Sequence, residues 1–285
     1  MKSTFKSAMA LAVVFSAAVS GAELRPETAR EWDEYLLRAH ELMVDRIERN
    51  FLWVDESEQR LERVRAGSII VAPIQPKMPI PIRHGLVHHW IGAAFIPGMH
   101  IEDVIATVRE YDRYAYFYAP AVTGAQVIEV SEDPEHAPDR FTLTFVNKSF
   151  FSKHALECES KTSYTRLDAQ RWYSQSHTVR VQEWTQYGSS REHMLPAGEG
   201  TGYLWSASTV SRFEERDGGV YVEMEAIALS REVPTGMGEL VNPIIRRVSK
   251  STLATSLDET RKAVQKREVA ANNSYANNSY KVAER

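Results

Sequence analysis

Residues 202–234, GYLWSASTVSRFEERDGGVYVEMEAIALSREVP, decide the fold class of this chain. Apolar and polar side chains alternate on both sides of Asp217-Gly218, which is the period of a half-buried β-strand. An Asp-Gly pair between two alternating runs is a strong signal for a tight hairpin. We therefore expect two antiparallel strands, 202–214 and 220–231, in this region.

The same period extends upstream. It predicts further strands at 125–130, 140–147, 150–166 and 171–184. Before them, 85–97 is predicted as the first strand and 101–118 as a helix, because apolar residues there recur at helical spacing. Strands this long and this consecutive indicate an antiparallel meander, which must bury one of its faces.

The C-terminal segment is the candidate to cover that face. Pro243 should break a short helix over 237–248, and Ser251 can cap a longer one whose inner side carries Leu253, Leu257 and Val264. After Arg267 the polar repeat NNSYANNSY has no means of forming a core, so 269–285 is predicted to be a disordered tail.

The region before the first strand reads as a helical extension. Residues 24–50 have the apolar spacing of an amphipathic helix, and Asp55 with Glu58 resembles a capping box for a second helix that Gly67 would close. The prolines of 73–81 disfavour regular strand pairing, so this stretch is predicted to be a connector.

The N-terminus has the three parts of a secretory signal peptide. Lys2 and Lys6 precede an uncharged run of 12 residues, Ala8–Val19, and small residues follow up to Ala22. A helix that spans a bilayer needs about 20 residues, so this run is too short to be a membrane anchor. We therefore expect Sec-type export, cleavage near Ala22, and a periplasmic or secreted protein.

Composition excludes several classes of partner. The 285-residue chain has 34 basic and 38 acidic residues, a net charge of −4, and removal of Lys2 and Lys6 with the signal would make it −6. An acidic chain without a basic cluster is not expected to bind nucleic acid or adhere to anionic membranes.

No later stretch is long and apolar enough to predict a transmembrane segment. Cys158 is the only cysteine, so no internal disulfide is expected, and it reads as a small buried residue.

The order of these elements resembles the START-like (SRPBCC) superfamily, particularly exported bacterial members without an assigned function. The resemblance covers about 86–267 and is carried by HHWIGAAFIPG (88–98), IEDVIATVREYDRYAYFYAP (101–120), the hairpin of 202–234 and TLATSLDETRKAV (252–264). It implies an α+β, helix-grip fold: a curved antiparallel β-sheet of about seven strands around a long C-terminal helix, here with an N-terminal helical extension. The expected organisation is a signal peptide (1–22), a helical extension with a Pro-rich linker (23–82), a START-like domain (83–268) and the tail (269–285).

A fold of this kind implies a cavity between the sheet and the C-terminal helix. Seven side chains are candidates for lining it: Trp172, Ser176, Thr178, Arg180, Trp205, Phe213 and Met224. An inward Arg180 could hold a carboxylate or phosphate head group through a bidentate contact. The sequence equally allows Arg180 to lie on the outer face, paired with an acidic neighbour.

Other apparent motifs do not assemble a catalytic or metal site. His84, His88, His89 and His100 are close in sequence, but His88 and His89 are strand neighbours and must point to opposite faces. Glu223 and Glu225 share one strand face, opposite an apolar face suited to the C-terminal helix, and we expect them on the solvated convex side. The Gly-rich stretch 196–202 precedes a strand, whereas phosphate loops open a helix.

Three functions are compatible with these patterns. The leading hypothesis is extracytoplasmic binding or transport of a hydrophobic small molecule (a lipid, isoprenoid or aromatic metabolite), without catalysis, cofactor or metal, by a chain that need be no more than a monomer. The second is an aromatase/cyclase-like enzyme with Tyr173, His177 and Arg180 as polar participants. The third is an envelope protein-interaction module that uses the N-terminal helices and the tail.

Overall fold

A computed structural model describes residues 22–148, 153–233, 236 and 238–283. For 147–148, 153–154, 238–241 and 268–283 it describes only the backbone. The predicted signal peptide therefore lies outside the described residues, apart from Ala22. Among the described helices, none is long and apolar enough to cross a membrane.

The chain alternates early helices with a long run of strands and ends in one helix. The helices are α1 (Pro26–Glu48), α2 (Glu58–Arg65), α3 (Ile101–Val108), α4 (Tyr114–Phe117) and α5 (Gly238–Ala283), with 3-10 turns at Trp53–Glu56 and Tyr111–Arg113. The strands are β1 (Ala22–Glu23), β2 (Ile70–Pro73), β3 (Ile80–Ile82), β4 (Gly85–Pro97), β5 (Val122–Glu129), β6 (Asp139–Lys148), β7 (Lys153–Arg166), β8 (Arg171–Thr185), β9 (His193–Met194), β10 (Glu199–Gly200), β11 (Ser206–Arg216) and β12 (Gly219–Arg231).

The main sheet is antiparallel and open, in the order β2-β4-β12-β11-β8-β7-β6-β5, with β3 beside β4 and β9 beside β8. The predicted hairpin of β11 and β12 forms, with Arg216 opposite Gly219 and positive φ at Asp217 and Gly218. Its second strand then pairs with β4 along their full length, from Gly219–Pro97 to Arg231–Gly85. The earliest long strand, β4, therefore lies beside the last strand, β12.

One face of the sheet, called here the inner face, packs against α5. The buried helix residues Leu253, Leu257 and Val264 join Trp90 and Val222 in one apolar cluster. This packing occurs at the β2–β4 end of the sheet.

Contact there is close at Gly92. A Cβ on Gly92 would lie 2.9 Å from Leu257 Cδ1 and 2.8 Å from Val71 Cγ2. The absence of a side chain lets the helix approach the strand.

The opposite face, called the outer face, is covered by the N-terminal helices. Trp32 and Met43 of α1 pack against Ile227 and Leu229 of β12. Beside them, the segment that carries the first 3-10 turn packs Leu52, Val54 and other residues against β4. The sheet is therefore buried on both sides over its β4–β12–β11 part, between α5 and the N-terminal extension.

Three local expectations differ from the structure. The Pro-rich connector does pair: β2 and β3 both lie antiparallel to β4, at an edge where a proline's missing N–H is tolerated. The helix expected over 101–118 is α3, a 3-10 turn and α4 in succession. The C-terminal helix contains Pro243 without a break.

The helix α5 also runs to Ala283, through the segment for which the sequence predicts a disordered tail. The residues from 268 to 283 include neither glycine nor proline, the two residues that most disfavour a helix.

The fold class is confirmed: an α+β protein with a large antiparallel sheet, a C-terminal helix on its inner face and helices at the N-terminus. This is the helix-grip arrangement.

Candidate functional site

The inner face is packed at one end and open in the middle. In β11 and β12, which have neighbours on both sides, the inward side chains Thr209, Ser211, Met224 and Ala226 are only half-buried. Side chains on the outer face of the same strands, such as Val210, are buried. The described residues of α5 therefore do not fill the space above the middle strands, and we call this space the inner groove.

The wall of the inner groove combines aromatic and hydroxyl side chains. The Thr162 hydroxyl donates to Ser176 Oγ at 2.9 Å, and the Thr178 hydroxyl accepts from the Ala207 N–H at 2.9 Å. Trp172, in contact with the apolar cluster under α5, has a buried Nε1–H without a hydrogen-bond partner among the described residues. A buried donor of this kind is costly unless water or a ligand supplies an acceptor.

Five of the seven candidate residues lie on this wall. Trp172, Ser176 and Thr178 alternate inward along β8, and Phe213 pairs with Trp172 across the ladder to β11. Met224 of β12 lies opposite Ser211 on the same face. The alternation read from the sequence therefore brings these residues together.

Arg180 is placed on the outer face. Thr178 pairs with Ser160 but Arg180 pairs with Glu159, so Val179 is an extra residue that forms a β-bulge. The bulge shifts the alternation by one, which turns Val181 inward and Arg180 outward. Arg180 Nη2 lies 3.2 Å from Glu159 Oε2, and its side chain is 48% exposed. This is the second of the two orientations that the sequence allowed.

Trp205 also lies away from the inner groove. It precedes β11, so strand alternation does not govern it, and it packs with Trp32 of α1 and with Val87 and Leu229 on the outer side. Tyr173 and His177, expected participants in the enzymatic alternative, alternate with the inward residues of β8 and therefore share the outer face with Arg180.

The outer face contains a buried charge cluster, defined as His89, Arg212, Glu223 and Glu225. Arg212 is 0% exposed, and its Nη1 donates to Glu223 Oε1 at 3.2 Å and to Glu225 Oε2 at 3.1 Å. The Trp53 N–H donates to Glu223 Oε2 at 2.7 Å. The expectation that the two glutamates are solvated was wrong, because the N-terminal helices cover this face.

A chain of hydrogen bonds leads from this cluster to Tyr35 on α1. His89 Nε2 lies 2.9 Å from Glu225 Oε1, and His89 Nδ1 lies 2.8 Å from the Tyr35 hydroxyl. The neutral tautomer with its proton on Nε2 satisfies both contacts, with Tyr35 as donor. Burial and the charge of Glu225 raise the pKa of Tyr35 to about 12, so its proton stays in place at neutral pH.

The two glutamates respond in opposite directions. Burial raises the pKa of Glu223 to about 7, despite the charges of Arg212 and Arg46. Burial also acts to raise the pKa of Glu225, but the hydrogen bond to His89 and the charge of Arg212 outweigh it and hold that pKa below its usual value. The Glu225 carboxylate therefore stays ionised and neutralises Arg212, whereas Glu223 is partly protonated near pH 7.

An open cleft of about 470 Å³ borders this chain. One wall is the face of α1 that carries Tyr35, Leu42 and Arg49, and the residues Ile74, His89 and Glu225 lie opposite. We call it the outer cleft. The alternation of the strands does not predict this cleft. One sign of the charge cluster is present in the hairpin, where Arg212 and Glu223 lie directly opposite each other. That this pair is buried depends on the N-terminal helices, which are far away in the sequence.

His88 and Cys158 stay neutral at pH 7. His88 and His89 lie on opposite faces, His88 Nε2 being 2.8 Å from Ser230 Oγ. Burial lowers the pKa of His88 to about 4 and raises that of the Cys158 thiol to about 12, so both are neutral groups at pH 7. In the part of the chain that the structure describes, no three potential ligands cluster as a metal site would require.

Comparison with known proteins gives likenesses of structure only. No model of a known protein family and no curated protein matches the sequence. Human STARD10 is 8% identical, with a TM-score of 0.45 over 76% of this chain and 83% of that one. A STAR-related lipid transfer protein from Xanthomonas axonopodis is 13% identical, with a TM-score of 0.44 over 69% and 98%.

The Zhui aromatase/cyclase from a Streptomyces species is 11% identical, with a TM-score of 0.41 over 65% of this chain and 98% of that one. The helix-grip arrangement of this chain is seen in its own strand order and in the position of α5 on the inner face.

Proposed function

We propose that this chain binds a hydrophobic small molecule in the inner groove and does so outside the cytoplasm. The observation that carries the proposal is the half-buried state of Thr209, Ser211, Met224 and Ala226 on β11 and β12, in the part of the sheet whose outer face is buried under the N-terminal extension. Ligand sites are concave and largely apolar, with a few polar groups that fix orientation.

The lining favours an apolar molecule that has a hydrogen-bond acceptor. Trp172, Phe213 and Met224 provide apolar wall, while the hydroxyl of Thr178 is already engaged by the backbone of β11. The unpartnered Nε1–H of Trp172 is the group that a ligand oxygen would satisfy. This chemistry fits a lipid, an isoprenoid or an aromatic metabolite.

Binding is a better account of the inner groove than catalysis. Tyr173, His177 and Arg180, the polar groups that an aromatase/cyclase-like reaction would use, alternate to the outer face. The polar side chains that β8 and β11 turn inward over 172–178 and 207–213 are serine and threonine hydroxyls, and general acid–base catalysis ordinarily depends on groups that titrate nearer neutral pH.

The location follows from the N-terminal sequence. Lys2, Lys6, the apolar run to Val19 and the small residues to Ala22 have the pattern of a cleaved export signal. The test is the intact mass of the protein recovered from the periplasm and from the medium of an expressing bacterium. A chain that begins at about Glu23 supports export; a full-length chain found only in the cytoplasm contradicts it.

The groove is tested by native mass spectrometry of the purified protein, followed by solvent extraction of any adduct. We expect a bound apolar molecule of a few hundred daltons, lost in Thr209→Trp, whose indole would occupy the groove. Thr255→Trp is the matched control, because Thr255 is exposed on α5. Circular dichroism would show that both variants fold. An empty wild-type protein, or an adduct that survives Thr209→Trp, would refute the proposal.

A further inference from the structure

The outer cleft lies on the side of the sheet away from the inner groove. We propose that it is a second ligand site, specific for a small organic anion with an apolar body, of the medium-chain carboxylate class. It is formed by α1, so it depends on the N-terminal extension rather than on the helix-grip core.

The floor of the cleft offers no charge to a ligand. Glu225 is engaged by His89 at 2.9 Å and by Arg212 at 3.1 Å. The Glu56 carboxylate at one end of the cleft lies 3.0 Å from Arg46 Nη1 and 3.9 Å from Arg60 Nη1. These carboxylates are therefore already neutralised, and a cationic ligand would find little to pair with.

The rim has an excess of free positive charge. Arg38 and Arg49 line the cleft and are exposed, and among the described residues neither guanidinium has a hydrogen-bond or ion-pair partner. Asp45 is the one lining carboxylate of the described residues that is likewise unpaired. Two free guanidiniums against one carboxylate favour an anion, and the planar guanidinium matches a carboxylate in bidentate geometry.

The apolar part of the site lies between these charges. Leu42 is 69% exposed on α1, about halfway between Arg38 and Arg49, and Ile74 faces it across the cleft. At about 1.5 Å per helical residue, the two arginines are roughly 16 Å apart along the axis. An elongated molecule with a charged end and an apolar body covers Leu42 while one guanidinium holds its head.

Tyr35 gives the site a fixed polar end. Its hydroxyl is held at 2.8 Å by His89, which Glu225 holds in turn. Because its proton goes to His89, the Tyr35 hydroxyl offers the cleft only an acceptor, so the carboxylate of the ligand is held at the arginines and not at Tyr35.

The test is photo-cross-linking with decanoic acid that carries a diazirine in its chain, with the corresponding decanol as the uncharged probe. Chymotryptic digestion avoids cleavage at arginine, so the same peptides can be compared across variants. We expect the acid, and not the alcohol, to label peptides that contain residues 35–49 and 74–75. Label that appears only on residues 172–178 or 207–226 overturns this proposal, because it places the acid in the inner groove and not in the outer cleft.

The double variant Arg38→Gln/Arg49→Gln should reduce cleft labelling by about tenfold, the effect of losing one charge-assisted hydrogen bond. Arg30→Gln is the matched control, because Arg30 is an exposed arginine on the same helix outside the cleft. The proposal is overturned by unlabelled cleft peptides, by equal labelling with acid and alcohol, or by undiminished labelling of the double variant.

Discussion

Glu223 and His88 should give the stability of this protein two opposite dependences on pH. Burial raises the pKa of Glu223 from 4.5 to about 7, and burial lowers the pKa of His88 from 6.5 to about 4. Between pH 4.5 and 6.5 the folded chain therefore keeps a proton on Glu223 that the unfolded chain has lost. Over the same range the unfolded chain keeps a proton on His88 that the folded chain excludes.

The signs follow from proton linkage. Stability falls with rising pH where the folded state binds the extra proton, and rises where the unfolded state binds it. Each effect has a slope that approaches about 1.4 kcal/mol per pH unit midway between the two pKa values and falls off near either of them, which gives about 2 kcal/mol between pH 4.5 and 6.5. In the wild type the contributions of Glu223 and His88 offset each other.

Single substitutions separate the two effects. Relative to the wild type, Glu223→Gln should become more stable by about 2 kcal/mol as the pH rises from 4.5 to 6.5, and His88→Gln should become less stable by about the same amount. The assay is urea unfolding followed by tryptophan fluorescence at three pH values, with linear extrapolation to water.

Glu62→Gln controls for the loss of a carboxylate on the surface, since Glu62 is exposed. Using the difference between variant and wild type removes the contribution of the titrating groups that do not interact with the substituted residue. Curves for both variants that stay parallel to the wild type within about 1 kcal/mol would refute the reasoning.

Two further substitutions test the packing. Arg212→Met removes the cation from beneath two buried carboxylates and should destabilise the fold by about 3–5 kcal/mol at pH 8, measured by urea unfolding; a loss below about 1 kcal/mol would show that the cluster is hydrated rather than buried. Gly92→Ala places a Cβ 2.8 Å from Val71 Cγ2 and 2.9 Å from Leu257 Cδ1, so it should cost about 1–3 kcal/mol and lower Tm; an unchanged Tm would mean that α5 can move away from β4 freely.

The long strands and the C-terminal helix could be predicted because their signals are local. The alternation in 85–97 gives the bounds of β4 and assigns His88 and His89 to opposite faces, both as observed. The Asp217-Gly218 turn fixes the register of β11 and β12. Period and turn chemistry act over a few residues, so a single sequence contains them in full.

The site was harder to predict because it depends on non-local facts. One extra residue at Val179 reverses the direction of Arg180, and nothing in WYSQSHTVRVQEW distinguishes a bulge from continuous alternation. Trp205 does not follow the inward–outward alternation of β11 because it lies just before that strand begins. In each case a change of one position moves a side chain from one face of the sheet to the other.

On the outer face, an element far away in the sequence decides whether the charged residues of β12 are exposed or buried. On β12, Glu223 and Glu225 stand between Tyr221 at one end and Ile227 with Leu229 at the other. An exposed pair of Arg212 with these glutamates would be an ordinary surface feature worth less than about 1 kcal/mol. Because the N-terminal helices cover Arg212 and the two glutamates, these charged side chains must lose their hydration. Apolar side chains of similar volume would not have this desolvation cost.

The charge cluster is therefore not the arrangement that stability alone would favour. Its position gives it another consequence, since it anchors His89 and through it the hydroxyl of Tyr35 at the edge of the outer cleft. An apolar floor would leave Tyr35 without an orienting partner. The cost of burying Arg212, Glu223 and Glu225 is thus accounted for if the cleft must hold the Tyr35 hydroxyl in a fixed position at its edge.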